Sequence, residues 1–235
     1  MIELQNVSHQ FAIGKKGKER SVPVLNDVQL KVNKGEIVAL LGRSGSGKST
    51  LLHLISGYVR PAQGEIIING RHATRFTEGE WADFRRKHFG FIFQSFQLIP
   101  SMTAFENAEL PLVLEGIPPK ERERRVNDML EKLGVAAYKG HYPGELSGGQ
   151  QQRTAIARAL ILQPLIVLAD EPTGSLDSEN EQQLLNLIRQ INREEGTTFL
   201  IVTHDEQVAS AARRTVVIRD GKVIQEGELR HEAIR

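Results

Sequence analysis

The sequence predicts an α/β fold built on a parallel central sheet. Three short apolar runs carry that prediction: residues 37–41, 165–169 and 199–202. None of them alternates apolar with polar residues, and unbroken apolarity marks a strand buried on both faces. Helical spacing lies between the runs. Val126, Met129, Leu130 and Leu133 recur every three or four positions, with Gly134 as a stop signal. Leu184, Leu187, Ile188 and Ile191 repeat in the same way after an acidic start at Glu179 and Glu181.

Two regions depart from this rhythm. Residues 1–35 and 60–75 read as short alternating strands with turns, Asn69-Gly70 being a hairpin signal, and predict an antiparallel β subdomain. Residues 96–160 read as mostly helical, broken at Pro111, Pro118 and Pro119, and predict an inserted α-helical subdomain. Residues 14–20 form a small charged loop. No internal repeat or low-complexity tract interrupts the chain, which is expected to be a single domain over residues 1–235.

Composition narrows the function classes. With 30 basic and 29 acidic residues the net charge is +1, far from the strong positive field of a nucleic-acid binder, so no nucleic-acid partner is expected. The absence of cysteine excludes disulfides and thiolate metal sites. The first residues lack the basic-then-apolar pattern of a signal peptide. The longest apolar stretch, residues 159–169, is interrupted by Gln163 and Pro164 and falls short of the roughly 20 residues of a membrane helix. Any membrane role is therefore expected to come through a partner.

The first chemical motif follows the run at 37–41: Gly42, Arg43, Ser44, Gly45, Ser46, Gly47, Lys48, Ser49 and Thr50, and then a helical stretch. Strand, glycine-rich loop and helix in that order make a phosphate-binding loop. Glycines let successive N–H groups curl inward toward phosphate oxygens, and the helix start adds partial positive charge. Lys48 is the candidate clamp on the β- and γ-phosphates and the Ser49 hydroxyl a candidate Mg²⁺ ligand. The bland alternative is a flexible Gly/Ser turn with a surface lysine.

The run at 165–169 closes on Asp170 and Glu171. Two acids there are poor core residues, because burying unpaired charge is costly. At the carboxyl end of a parallel strand they face the ligand crevice, where Asp170 can hold Mg²⁺ through water and Glu171 can act as general base. Alternatively they cap a helix. The run at 199–202 ends in Thr203, His204 and Asp205; His204 alone among seven histidines ends such a strand, and the other six read as surface or hydrogen-bonded core residues.

Ser147, Gly148, Gly149 and Gln150 open a helix reaching about residue 162. Ser147 with Gln150 makes a capping box. That does not explain two glycines, each costing up to about 1 kcal/mol in a helical turn relative to alanine. A close approach to the backbone is expected, and the electropositive helix start favours an anion. The chain thus carries two helix-start anion sites but one Walker-type lysine.

In this order the motifs resemble the ATP-binding cassette (ABC) family over essentially the whole chain. Residues 42–50 match the phosphate loop and Gln94 in Phe-Ile-Phe-Gln-Ser-Phe the Q-loop glutamine. Leu-Ser-Gly-Gly-Gln at 146–150 matches the signature, residues 165–171 the Walker B segment, Ser175-Leu176-Asp177 the D-loop and His204 the switch histidine. The resemblance implies a P-loop NTPase (RecA-like) core and an ATPase using ATP and Mg²⁺. It further implies two copies paired head to tail, each ATP lying between one copy's phosphate loop and the other's signature helix, with Ser147 and Gly149 meeting the γ-phosphate and Asp177 nearby. Gln94 and His204 sense that phosphate, and Gln94 joins Ser49 and Asp170 at the metal. Arg43 stands where many relatives have proline. Phe11 is the best match to the adenine-stacking aromatic, and equally reads as a packing residue.

Residues 88–94, Leu98-Ile99-Pro100, Glu106-Asn107 and Leu110-Pro111-Leu112 resemble more narrowly the macrolide-exporter and lipoprotein-releasing (MacB/LolD-type) branch. That implies an FtsX-like permease, through it a periplasmic adaptor, and a peripheral place on the cytoplasmic face of the inner membrane. A soluble ABC ATPase of an assembly complex and an importer ATPase for small polar solutes are the competing classes. No regulatory domain is expected beyond the hairpin around Asp220-Gly221.

Overall fold

The computed structural model describes residues 1–14 and 20–228. Apart from its two ends, the charged loop expected at 14–20 lies outside them, as does the segment past residue 228.

In chain order, β1 (Ile2–Ile13) and β2 (Arg20–Val32) precede β3 (Ile37–Leu41) and α1 (Lys48–Ile55). Next come β4 (Gln63–Ile68), β5 (Arg71–His72), α2 (Glu78–His88), β6 (Phe89–Phe93), α3 (Ala104–Leu114) and α4 (Pro119–Lys132). The remainder is α5 (Gly148–Leu160), β7 (Ile166–Asp170), α6 (Ser178–Glu195), β8 (Thr198–Thr203), α7 (Glu206–Ser210), β9 (Arg214–Arg219) and β10 (Lys222–Glu228). The chain divides into two compact units, residues 1–83 with 198 onward, and residues 84–197.

The first unit holds two sheets. One is antiparallel in the order β2-β1-β4-β5. Its β1 and β2, at 12 and 13 residues, are longer than the short strands expected, and register shifts interrupt their pairing. Asn6 and Asp27 take left-handed backbone at such breaks and hydrogen-bond through their side chains at 2.7 Å. The expected Asn69-Gly70 turn joins β4 to β5 with positive φ at both positions, 51° and 75°. The other sheet runs β10-β9-β3-β8, with β3 parallel to both β8 and β9 and β10 antiparallel to β9. Val38, Ala39 and Leu40 are completely buried, as an unbroken apolar run requires. At the entrance to β3, Arg214 Nε donates to Glu36 Oε1 at 2.7 Å in a pair that is almost wholly buried.

In the second unit β6 and β7 pair in parallel, and helices make up most of the rest. The helical stripe at 126–133 is α4, whose Val126 and Leu130 are buried and which ends at Leu133 before left-handed Gly134. In α6 the buried stripe is Leu184, Leu185, Ile188 and Ile191, with Leu187 only half-buried. Pro111 corrects the expected break, because α3 continues through it. Proline in a helix interior costs about 3 kcal/mol. Burial of Ala104, Asn107, Ala108 and Leu112 along the same helix works against that loss. Pro118 and Pro119 do separate helices, at the N-cap and first position of α4.

Candidate functional site

The phosphate loop leaves the carboxyl end of β3, held to β8 by Gly42 N–H donating to Thr203 O at 3.3 Å. Steric room fixes two of its glycines. A Cβ on Gly42 would lie 2.3 Å from the carbonyl oxygen of Ile218, and one on Gly47, at φ 102°, 2.8 Å from Leu25. These two glycines therefore serve packing inside the chain. Gly47 is the N-cap of α1 and supplies no side-chain cap, and no acid stands in the helix's first turn. Its leading N–H groups and partial positive charge suit an anion.

Lys48 is 6% exposed, and its ammonium donates to Gly42 O at 2.7 Å and Arg43 O at 3.0 Å. The lysine thus arches back over its own loop, which corrects the picture of a surface lysine on a flexible turn. Ser46 Oγ is buried with no hydrogen-bond partner among the described residues, the condition a phosphate oxygen would relieve. Ser44 and Gly45 are exposed, while Ser49 and Thr50 lie in the first turn of α1.

His204 follows β8 directly and is exposed. The next residue, Asp205, caps α7 by accepting from Gln207 N–H at 2.6 Å. Phe11 lies on β1, 40% exposed, edge-on to His9 with ring centroids 4.7 Å apart. His9 departs from the reading given to the minor histidines, since both its ring nitrogens are buried without a partner among the described residues.

The second unit carries the acids, the Q-loop glutamine and the signature. Asp170 ends β7, and Glu171 turns left-handed at φ 48°, beginning a turn in which Gly174 N–H donates to Glu171 O at 3.1 Å. Gln152 on α5 steadies this turn through Nε2, which donates to Pro172 O at 2.7 Å in a buried hydrogen bond. Sequence reasoning passed over Gln152, although a buried glutamine amide needs such a partner. Gln94 is exposed, and its carbonyl accepts from Ser175 Oγ at 3.0 Å, tying Q-loop to D-loop.

The capping box at the signature is present: Gln150 N–H donates to Ser147 Oγ at 3.3 Å and Ser147 N–H to Gln150 Oε1 at 2.9 Å. The expectation for the two glycines is partly corrected. A Cβ on Gly149 would meet Asn180 Oδ1 at 2.4 Å, so a side chain of the same chain approaches that backbone. Around Gly148 a Cβ would meet Ser175 O at 3.6 Å and the Phe96 ring at 3.8 Å, ordinary contact distances, so no steric clash inside the chain requires that glycine. Asp177 is the N-cap of α6, accepting from Asn180 N–H at 2.9 Å and from the Asn180 amide. Those Asn180 hydrogen bonds hold its carboxyl below the ordinary aspartate range. The cap was legible in the spacing of Asp177 and Asn180; its contact with Gly149 was not.

Among the described residues no group of three or more His, Cys, Asp and Glu could hold a metal, and no helix is long and apolar enough to cross a membrane. Ser49, Asp170 and Gln94 each carry a hard oxygen donor of the type Mg²⁺ takes.

A phosphate loop, a strand ending in Asp-Glu and a Ser-Gly-Gly-Gln helix start in one chain define an ATP-binding-cassette ATPase. Residues 25–174 match the ABC transporter family, and the chain belongs to it. It is 62% identical to the ABC transporter ATP-binding protein YtrE of Bacillus subtilis (strain 168), over 94% of this chain and 96% of that protein. It is 46% identical to the macrolide export ATP-binding/permease protein MacB of Sodalis glossinidius over 95% of its own length, but spans only 34% of that relative. Two structures of the ATP-binding cassette MJ0796 match with TM-score 0.89, at 39% and 40% identity, over 98% of this chain and 99% of theirs. Both are described as dimeric, and one as a post-hydrolysis state bound to ADP and Pi.

Proposed function

We propose that this ATPase is the energising subunit of a membrane exporter, working as a head-to-tail pair of copies with two ATP molecules between them. The observation that carries the reading is the pair of unlike helix starts. That of α1 has a lysine and an orphaned buried hydroxyl, whereas that of α5 has a glycine that no clash inside the chain requires and a capping serine, but no cation in its first turn. Each chain thus brings two half-sites and completes neither. The dimeric MJ0796 cassettes support that arrangement.

In this reading residues 1–235 form one ATP-binding domain. Lys48 holds the β- and γ-phosphates and Phe11 stacks on adenine. Ser147, Gly148, Gly149 and Gln150 of the second copy close over the γ-phosphate, with Asp177 of that copy beside them. Ser49, Asp170 and Gln94 would hold Mg²⁺, which would supply charge neutralisation to the phosphates. Glu171 takes a proton from the attacking water as its oxygen bonds to the γ-phosphorus; the bond to the β–γ bridging oxygen breaks and ADP leaves. Gln94 and His204 register the γ-phosphate. Residues 96–160 pass the closure to a permease.

MacB joins ATP-binding and permease functions, as its name states, whereas this chain matches about a third of it. A separate FtsX-like permease, with a periplasmic adaptor reached through it, fills the remaining role here. The chain then sits peripherally on the cytoplasmic face of the plasma membrane, and the cargo is amphipathic. The test is Glu171→Gln. It should slow hydrolysis by about a hundredfold or more while ATP binding persists, and elute as a dimer with ATP but as a monomer with ADP. Normal turnover would remove Glu171 from its role, and a monomer under ATP would remove the paired arrangement.

A further inference from the structure

The four residues from Gln94 to Gln97 hold more strain than any function assigned to them so far explains. Phe96 and Gln97 are consecutive non-glycine residues with left-handed backbone, φ 61° and 50°. Neither side chain is of the short polar type that tolerates this region. Two local N–H bonds close the turn, Phe96 to Phe93 O at 3.1 Å and Gln97 to Ser95 O at 2.6 Å. They leave the carbonyls of Phe96 and Gln97 to be satisfied elsewhere.

Arg158, in the last turn of α5, takes both. Its Nη1 donates to Gln97 O at 2.7 Å and its Nη2 to Phe96 O at 3.1 Å. A guanidinium offers this planar fork, and a lysine ammonium does not. Burial lowers the Arg158 pKa from its ordinary value, so the cation has given up water to reach the two carbonyls. The opposite end of the same helix meets the same turn. A Cβ on Gly148 would lie 3.8 Å from Phe96 Cζ, so the Phe96 ring flanks the signature's helix start. On the other flank Ser175 Oγ bonds the Gln94 carbonyl, and a Cβ on Gly174 would come within 2.6 Å of Gln94 Nε2.

We propose that Arg158 is a positioning residue: by clamping the Phe96 and Gln97 carbonyls it holds the turn left-handed and so fixes Gln94, making signature helix and Q-loop of one copy a single moving part. The role of Gln94 at the γ-phosphate is the reading above, on which this inference rests. Arg158 itself touches no substrate. When the signature helix shifts against a nucleotide, the clamp carries the Gln94 turn with it, and release of the clamp would uncouple them.

Glycine adopts left-handed backbone without steric penalty, so a glycine in the turn should make the clamp dispensable. The experiment measures steady-state ATP hydrolysis and equilibrium ADP binding for the full chain carrying Arg158→Met, Gln97→Gly, both together, or Gln94→Ala. Arg158→Met is expected to lower kcat by about tenfold or more with ADP affinity within about twofold, since misplacement of a positioned group costs turnover and the phosphate loop is untouched. Adding Gln97→Gly should then raise kcat about fivefold or more over Arg158→Met alone. A purely packing role for Arg158 would show no such recovery. Unchanged kcat in Arg158→Met, or a fall that Gln97→Gly does not repair, would overturn the proposal. If Arg158→Met does not fold, Arg158→Lys, which keeps the charge but not the fork, is judged by the same two criteria. Gln94→Ala separates the two ideas: wild-type turnover there rejects the Gln94 role, whereas slow Gln94→Ala beside normal Arg158→Met rejects the clamp alone.

Discussion

Glu171 turns left-handed immediately past β7, a backbone region in which a non-glycine residue stores about 1–3 kcal/mol. Such strain persists only where neighbours over-determine it, and here the Gln152 amide on Pro172 O and the Gly174 N–H on Glu171 O do so. Gly149 shows the same dependence on neighbours. With Asn180 Oδ1 2.4 Å from where its Cβ would stand, Gly149→Ala should cost about 1–3 kcal/mol through overpacking. Denaturant unfolding would show this, and adding Asn180→Ala should return most of the loss. Equal stability of Gly149→Ala and wild type would mean that Asn180 yields freely. Lys48→Ala removes a charge-assisted donor worth about 1.5–3 kcal/mol, so titration calorimetry should show ATP affinity falling about tenfold or more.

At the scale of the element, β3 depends on its entrance as well as on its apolar run. Glu36 precedes it, paired with Arg214 at the start of β9, and Arg214 also reaches the carbonyl of Lys31 at the end of β2. Burial pushes the Glu36 carboxyl up, but the Arg214 hydrogen bond, the Asn33 N–H and the Arg214 charge together hold it below its ordinary 4.5. A carboxyl with a lowered folded pKa binds protons more readily in the unfolded chain. Its stabilisation is therefore complete above about pH 4.5 and is lost as pH falls through the folded value. Glu36→Gln leaves a nearly buried guanidinium without its counter-charge and should cost about 2 kcal/mol at neutral pH. Urea unfolding of both proteins should show the gap closing once the pH drops below that range; a gap independent of pH would assign the loss to packing. The signature helix α5 is likewise supported from both ends, by its capping box and by Arg158 on the Phe96–Gln97 turn.

For the whole molecule, the net charge is +1 and no helix among the described residues is long and apolar enough to cross a membrane. Unit 2 exposes Val113 and Leu114 at the end of α3, beyond the Asn107 side chain that bonds Ile99, Met102 and Thr103 and so shapes the loop ahead of that helix. Mild detergent extraction followed by affinity purification should recover a four-span permease with this chain. Recovery of a purely soluble complex would replace the exporter reading by that of an assembly ATPase.

Much of this molecule was legible without coordinates, because its chemistry sits in contiguous motifs. Strand, glycine loop and lysine at 37–50, Asp170-Glu171 after an apolar run, and Ser147 with Gln150 all act through neighbours in sequence, where backbone geometry alone sets the spacing. The sequence by itself determined the α/β class, the parallel β3, the ATPase family and the hairpin turns at Asn69-Gly70 and Asp220-Gly221. Tertiary structure decided the rest. It carried α3 through Pro111, because side-chain burial along that helix opposes a local penalty. It gave Gly149 an intramolecular neighbour in Asn180 and joined Arg158 to a turn 61 residues earlier. Those contacts depend on where distant segments come to rest, and packing and hydrogen bonding between residues far apart in the chain leave no periodic mark on the sequence.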